Sequence, residues 1–172
     1  LKPLERANAF AVAANAELAT AGVPAAKVKM KKMDDSGQFS FSTWTLTLGK
    51  EAFAAAAPSS AEIMDAADTV YHETRHAEQW FRMARLKAGA GWKAAKIAYK
   101  MSIPLKIAKA AEKAPLTGVG DEGAEASGWY ESVYGKGAKA RNKTLTDLSK
   151  VGAALDKATA ALEKLEKNPK AT

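Results

Sequence analysis

The sequence predicts an α+β fold, mostly helical, with a small β-hairpin ahead of a long central helix and a second long helix at the C-terminal end. Three observations carry this. Apolar residues recur three or four apart through most of the 172 residues, the spacing of one helix face. Between Val28 and Leu48 the pattern changes to alternation, rich in β-branched and aromatic residues. Glycine, proline and aspartate cluster between these segments, where turns are needed.

Taken in order, Pro3 and Gly22 bracket an alanine-rich helix from about Leu4 to Ala21. Val28-Lys29-Met30-Lys31 alternates apolar with basic, Asp34-Asp35-Ser36-Gly37 supplies turn chemistry, and Phe39 to Leu48 reads as the returning strand of a hairpin. Ser59 followed by Glu62 is a capping box, in which each side chain satisfies a backbone N–H of the other at a helix start. That helix is expected to run to about Leu86, with Gly89 as its stop. At about 100° per residue, Ile63, Ala67, Val70, Thr74, Ala77, Phe81 and Ala84 form its core face. Asp65, Thr69, His72, Glu73, His76, Trp80 and Met83 fall on another. From Gly91 to Ala114 the pattern is helical but broken near Pro104. After a loop from Pro115 to Gly120, a further helix carries Glu122, Glu125, Trp129, Tyr130 and Val133 and ends near Gly135. The last helix spans about Ala140 to Lys167, stopped by Asn168-Pro169. Its Leu148, Val151, Leu155, Ala158, Leu162 and Leu165 make a coiled-coil-like seam, expected to pack within the domain in preference to against a partner.

A chain of this length suits one domain with its own core. Within it, residues 1–55 hold the first helix and hairpin, 56–90 the central helix, 91–117 basic helices, and 118–172 the last two helices. The absence of cysteine excludes disulfides, thiolate metal sites and a cysteine nucleophile. No apolar run is long enough to cross a bilayer and no signal-peptide pattern opens the chain. The chain begins at Leu1 rather than Met, as expected of a segment released from something longer. The net charge of +7 is concentrated: from Arg82 to Lys113 there are nine Lys or Arg against one acid, Glu112. Lys93, Lys96 and Lys100 share one helix face, and Lys106, Lys109 and Lys113 repeat the arrangement. Such a patch reads either as a solvated, solubilising face or as a contact for an anionic membrane, cell-wall polymer or nucleic acid. Nucleic acid is the weaker expectation, since only Trp92 and Tyr99 interleave aromatics with the lysines.

The central helix carries the one motif with specific chemistry, His72-Glu73-Thr74-Arg75-His76. These are the only two histidines in the chain. Four apart on a helix, both imidazoles can face one ion, and neutral imidazole nitrogen is a good zinc ligand. Glu73, beside the first ligand, is expected to take a proton from zinc-bound water and deliver it to the leaving amine. By ordinary frequencies the pentapeptide arises by chance in roughly one chain of this length in a few hundred. Its placement mid-helix, after a capping box and a strand, lowers that further. With cysteine and further histidines absent, a third ligand has to be a carboxylate. Glu122 and Glu125, one turn apart on a later helix, are the candidates, and they remain unranked. Asp65, about 10 Å from His72 along the axis, is too far. Tyr130 and Tyr134 are candidate donors to the developing oxyanion, Tyr130 being preferred, against the simpler role of core tyrosines. Arg75 points away from the zinc direction and is expected to pair with an acid. Trp80 is read as lining a cleft or simply packing.

From Val70 through Phe81 the sequence resembles the zincin-type metallopeptidase domains of bacterial polymorphic toxins and of effectors of type VI and related contractile injection systems. Those domains often carry His-Glu-x-Arg-His followed by Gln. The segment Trp129-Tyr130-Glu131-Ser132-Val133-Tyr134-Gly135 is similar to a recurring element of the same group. The likeness covers about Thr45 to Arg141. It implies a zincin-like fold, His72 and His76 as ligands, Glu73 as base, and a strand edge beside the active helix, for which Thr43 to Leu48 is the candidate. One departure is that Glu122 is followed by Gly-Ala-Glu-Ala, where relatives often have Glu-x-x-Ala-Asp. The resemblance further implies a zinc-dependent hydrolase secreted or delivered into a target cell. Its partners would be a protein or peptidoglycan peptide substrate, a secretion carrier and an immunity protein. The alternative expectation is a non-enzymatic module that contacts an anionic membrane or nucleic acid through residues 82–113.

Overall fold

The computed structural model describes residues 2–167. Helices dominate, accompanied by one three-stranded sheet. Where the sequence reads as one domain, the chain divides into two compact units, Leu1–Ser127 and Gly128–Thr172.

In the first unit, helix α1 (Pro3–Thr20) turns Ala7, Ala14 and Leu18 inward. Its Arg6 guanidinium donates to the carbonyls of Phe53 (2.8 Å) and Ala55, tying the helix to the segment after the sheet. The Asn15 amide pairs with both backbone groups of Ala26, at 2.9 and 3.2 Å, and so fixes the entry to the sheet.

The sheet comprises β1 (Lys27–Lys31), β2 (Gly37–Ser40) and β3 (Thr45–Gly49), in the order β1-β3-β2. β3 pairs parallel with β1 and antiparallel with β2. This corrects the expected hairpin twice. The run from Phe39 to Leu48 is two strands, folded back on itself through residues 41–44. The Thr43–Leu48 stretch, expected as an edge, supplies the central strand, and the edges are β1 and β2. The cause is the turn at Trp44, which adopts a left-handed φ of 55° without glycine. That conformation is unfavourable for a bulky residue, and burial and bonding hold it. Trp44 is 1% exposed, its indole N–H donates to the Pro24 carbonyl at 2.9 Å, and its ring meets Phe39 edge-on. Leu46 and Leu48 then pack with Ala7, Ala14, Phe53, Ala66 and Val70 in the first core.

Helix α2 (Ser60–Gly89) is the spine of the unit. The expected capping box is present: the Glu62 N–H donates to the Ser59 hydroxyl (3.3 Å), and the Ser59 N–H donates to the Glu62 carboxylate (2.7 Å). The backbone N–H and the hydroxyl of Ser59 hold the Glu62 carboxyl below the usual glutamate value. A folded value below the unfolded one contributes stability above the ordinary glutamate range, lost as pH falls through the depressed value. Replacing Ser59 with Ala is expected to lower unfolding free energy by about 1 kcal/mol at neutral pH. In acid, where Glu62 is protonated, the loss is expected to be smaller, and urea titrations at the two pH values would check this.

The core face of α2 is as expected at Val70, Ala77, Phe81 and Ala84, but Ile63 is exposed and Ala67 and Thr74 are half-buried. Met83, assigned to the motif face, is fully buried. From Phe81 to Leu86 the helix buries residues on nearly all sides, because α3 (Ala94–Met101) and α4 (Leu105–Lys113) fold back upon it. These two helices contribute Ile97, Met101, Ile107, Ala108 and Ala111 to a second core. They are joined through Ser102, left-handed at φ 55°, and Pro104.

Helix α5 (Asp121–Val133) begins in the first unit and ends in the second, which is completed by α6 (Ala138–Lys167). Within the second unit the seam expected on α6 is not covered. Leu148, Val151, Leu155, Ala158 and Leu162 are all exposed. A seam spacing specifies a face, not what covers it. The side chain of Leu165 and the stop at Asn168-Pro169 lie outside the described residues.

Candidate metal centre

His72, Glu73 and His76 project from the middle of α2, with their ligand atoms within 4.8 Å of one another. The two Nε2 atoms are 3.2 Å apart, with the rings nearly perpendicular. Two nitrogens at about 2.05 Å from one tetrahedral zinc would be separated by about 3.3 Å, so the spacing of the donor pair matches that of a shared metal. On its far side, His76 Nδ1 lies 3.1 Å from the Gln79 amide oxygen. A proton on Nδ1 donated to that oxygen leaves Nε2 unprotonated and able to ligate an ion, the usual way an outer partner fixes a metal-binding tautomer. Gln79 is thus a part of the site that ligand-counting alone missed. Its signal in the sequence was the i,i+3 step from His76.

Glu73 is anchored from outside the helix. Its Oε2 accepts a hydrogen bond from the Phe39 backbone N–H at 2.6 Å. The antiparallel register explains why that N–H is free to do so. Ser36 and Gln38 face β3, where the Gly49 N–H reaches the Ser36 carbonyl, so the backbone groups of Gly37 and Phe39 point outward from the edge. The approach is close because residue 37 is glycine: a Cβ there would meet Thr69 Cγ2 at 2.6 Å. Gly37→Ala is therefore expected to push β2 off α2 and cost about 1–3 kcal/mol through overpacking. The Phe39–Glu73 bond would loosen with it. Amide exchange at Phe39, faster in the variant, reads this directly.

Asp35, Ser36, Gly37, Asp68, Thr69, His72 and Glu73 line an open depression at the site. Its two aspartates add negative charge that favours a cation. Asp68, one turn before His72, extends the helix face that carries the motif. On the other side Trp80 stacks on Phe41, ring centroids 4.7 Å apart and planes 17° from parallel, so Trp80 packs against the β2–β3 turn.

The structure does not bring Glu122 or Glu125 into the cluster. Glu122 is held by Arg85 at 2.9 Å and Arg82 at 3.5 Å, and Glu125 by Arg82 at 2.9 Å. Arg82 is six residues beyond His76, about 9 Å along the axis. Arg82 and Arg75 also clamp Glu78, a carboxylate only 6% exposed. Arg75 thus pairs with an acid, as expected. A forked guanidinium matches a carboxylate better than any other side chain, and the i,i+3 spacing of Arg82 and Arg85 mirrors that of Glu122 and Glu125. Among the described residues, Glu73 is the one carboxylate grouped with both imidazoles. Tyr130 belongs to the second unit, where it lies against Tyr134 with ring centroids 5.2 Å apart. Burial, followed by the nearby Glu131 charge, raises its hydroxyl above the usual tyrosine value.

No protein-family model matches the chain, and neither does any curated protein or solved structure.

Proposed function

We propose that the chain is a zinc-dependent peptidase or amidase of the zincin type, with His72 and His76 as ligands and Glu73 as general base. The observation that carries the reading is the Nε2 pair, 3.2 Å apart on one helical turn, beside a carboxylate anchored through a single oxygen. Zinc, when bound, would polarise a scissile carbonyl and acidify water. The chain's own residues account for the rest. Gln79 orients His76. The Phe39 N–H holds Glu73 Oε2, leaving Oε1 to take a proton from the attacking water and return it to the leaving amine. With the Phe39 N–H taken by Glu73, the outward groups of Gly37 and the Phe39 carbonyl are what the β2 edge can offer an extended peptide beside that carboxylate. Glu122 or Glu125 would have to leave its arginine to act as third ligand, so the site is read as a two-histidine centre of modest metal affinity.

The role as a delivered antibacterial effector rests on the resemblance of residues 70–81 and 129–135 to toxin and injection-system domains. Denatured protein and peptidoglycan stem peptides are the two substrate classes to test. The expected result is the release of new amino termini from one of them, stopped by a chelator and restored by zinc. If neither substrate is cut by zinc-loaded protein, the peptidase reading is withdrawn.

A further inference from the structure

We infer that the outer face of the α3–α4 hairpin docks on an anionic phospholipid surface. The two helices are strongly amphipathic, but their apolar sides are already spent: Ala94, Ile97 and Met101 of α3 and Ile107, Ala108 and Ala111 of α4 are buried in the core. What faces water is the lysine side. At helical spacing, Lys96 lies away from the buried residues of α3 with Lys100 on its flank, and Lys106, Lys109 and Lys113 lie opposite those of α4, all exposed. Among the described residues none of these five has a carboxylate partner. The one acid of the hairpin, Glu112, is engaged by Lys93 at 3.4 Å and by the Ala94 N–H at 2.9 Å. The face is therefore uncompensated positive charge on a rigid, folded support.

Two apolar side chains break through this face next to the interhelical turn. Tyr99 is 79% exposed and Leu105 is 48% exposed, flanked in sequence by Lys100 and Lys106. An exposed tyrosine and leucine ringed by lysines match a lipid boundary, where apolar groups enter below the headgroups and ammonium groups pair with phosphates. Two features favour lipid over nucleic acid. The exposed cations of the hairpin are all lysine, hydrated point charges, with no arginine to fork onto phosphate or base. Trp92, the large ring available for stacking, is covered by Lys96 at 4.3 Å and Lys87 at 5.7 Å. Among the described residues no helix is long and apolar enough to cross a membrane, so the contact is peripheral.

The test is co-sedimentation of the full chain with vesicles of phosphatidylglycerol and phosphatidylcholine, beside vesicles of phosphatidylcholine alone. Binding is expected to the anionic vesicles only, and to weaken with salt. Each lysine near such a surface contributes about fivefold in affinity, so Lys106→Ala with Lys109→Ala should weaken binding roughly 30-fold. A charge-matched control, Lys29→Ala with Lys31→Ala on β1, should leave it within about twofold. Leu105→Ser should weaken binding about tenfold even at low salt. All these positions are exposed, and circular dichroism of each variant verifies that the fold is kept. The inference is overturned if the anionic vesicles are not bound, if the β1 control weakens binding as much as the α4 pair, or if duplex or single-stranded DNA is bound more tightly through the same lysines. It does not depend on the metal site, whose substitutions should leave vesicle binding unchanged.

Discussion

Replacing His76 by Ala is expected to remove stoichiometric zinc from the protein while leaving its helix content unchanged. The imidazole is half-buried, but its polar contacts among the described residues are with Gln79 and His72, both on α2, so its removal is expected to leave the other elements in place. Loss of an outer-shell partner alone typically costs 10–100-fold in metal affinity. Loss of one of two imidazole ligands should therefore exceed about 100-fold. Gln79→Ala provides the intermediate case, weaker than wild type by about tenfold and still able to bind. Zinc affinity should also fall on acidification, since protons compete for the same lone pairs. Elemental analysis and competition with a chromophoric chelator measure all three proteins. Equal zinc content in wild type and His76→Ala would remove the site, and the 3.2 Å contact would then be an ordinary imidazole–imidazole hydrogen bond.

The second large effect is expected at Glu73. In Glu73→Gln the side-chain amide oxygen can still accept from the Phe39 N–H, so the contact between β2 and α2 survives and only basicity is lost. General-base catalysis contributes about 10²–10⁴-fold, and kcat should fall by that factor with zinc content preserved. Glu73→Ala should lose the same catalysis and, in addition, the anchor to β2. If zinc disappears together with activity in Glu73→Gln, the carboxylate is a ligand rather than the base, and the division of labour among the three side chains has to be redrawn.

What could be read from the sequence was local. The cap at Ser59, the break at Pro104, the helix carrying the motif and the i,i+4 histidine pair all depend on residues within a turn or two of each other. The sheet was not legible in the same way. Nothing between Phe39 and Leu48 announces a turn, since Ser42 and Thr43 are compatible with a strand and there is no glycine or proline. Trp44 makes the reversal by burying itself and bonding to Pro24, 20 residues away. The parallel pairing of β1 with β3 likewise has no local signature. Glu122 and Glu125 were legible as a pair of acids one turn apart, but acids that bind a metal and acids that bind guanidinium look alike until the arginines are placed. On α6, the spacing of Leu148, Val151, Leu155 and Leu162 proposes a face but not what covers it, because a helix's periodicity contains no information about its neighbour.

The bond between Phe39 and Glu73 joins residues 34 apart in the chain, whereas the two histidines share a single turn. These parts of the centre should therefore assemble at different times. A helical turn closes within about a microsecond, and the imidazole pair exists as soon as it does. The partner of Glu73 arrives only after the chain has closed a much longer loop and the small sheet has docked on α2, a slower and more entropically costly event. On refolding in the presence of cobalt, the d–d absorption of a bound ion should thus grow in before hydrolytic activity does. Gly37→Ala should widen the interval by delaying only the later step, and a simultaneous onset of the two signals would show that the metal pair waits for the sheet as well.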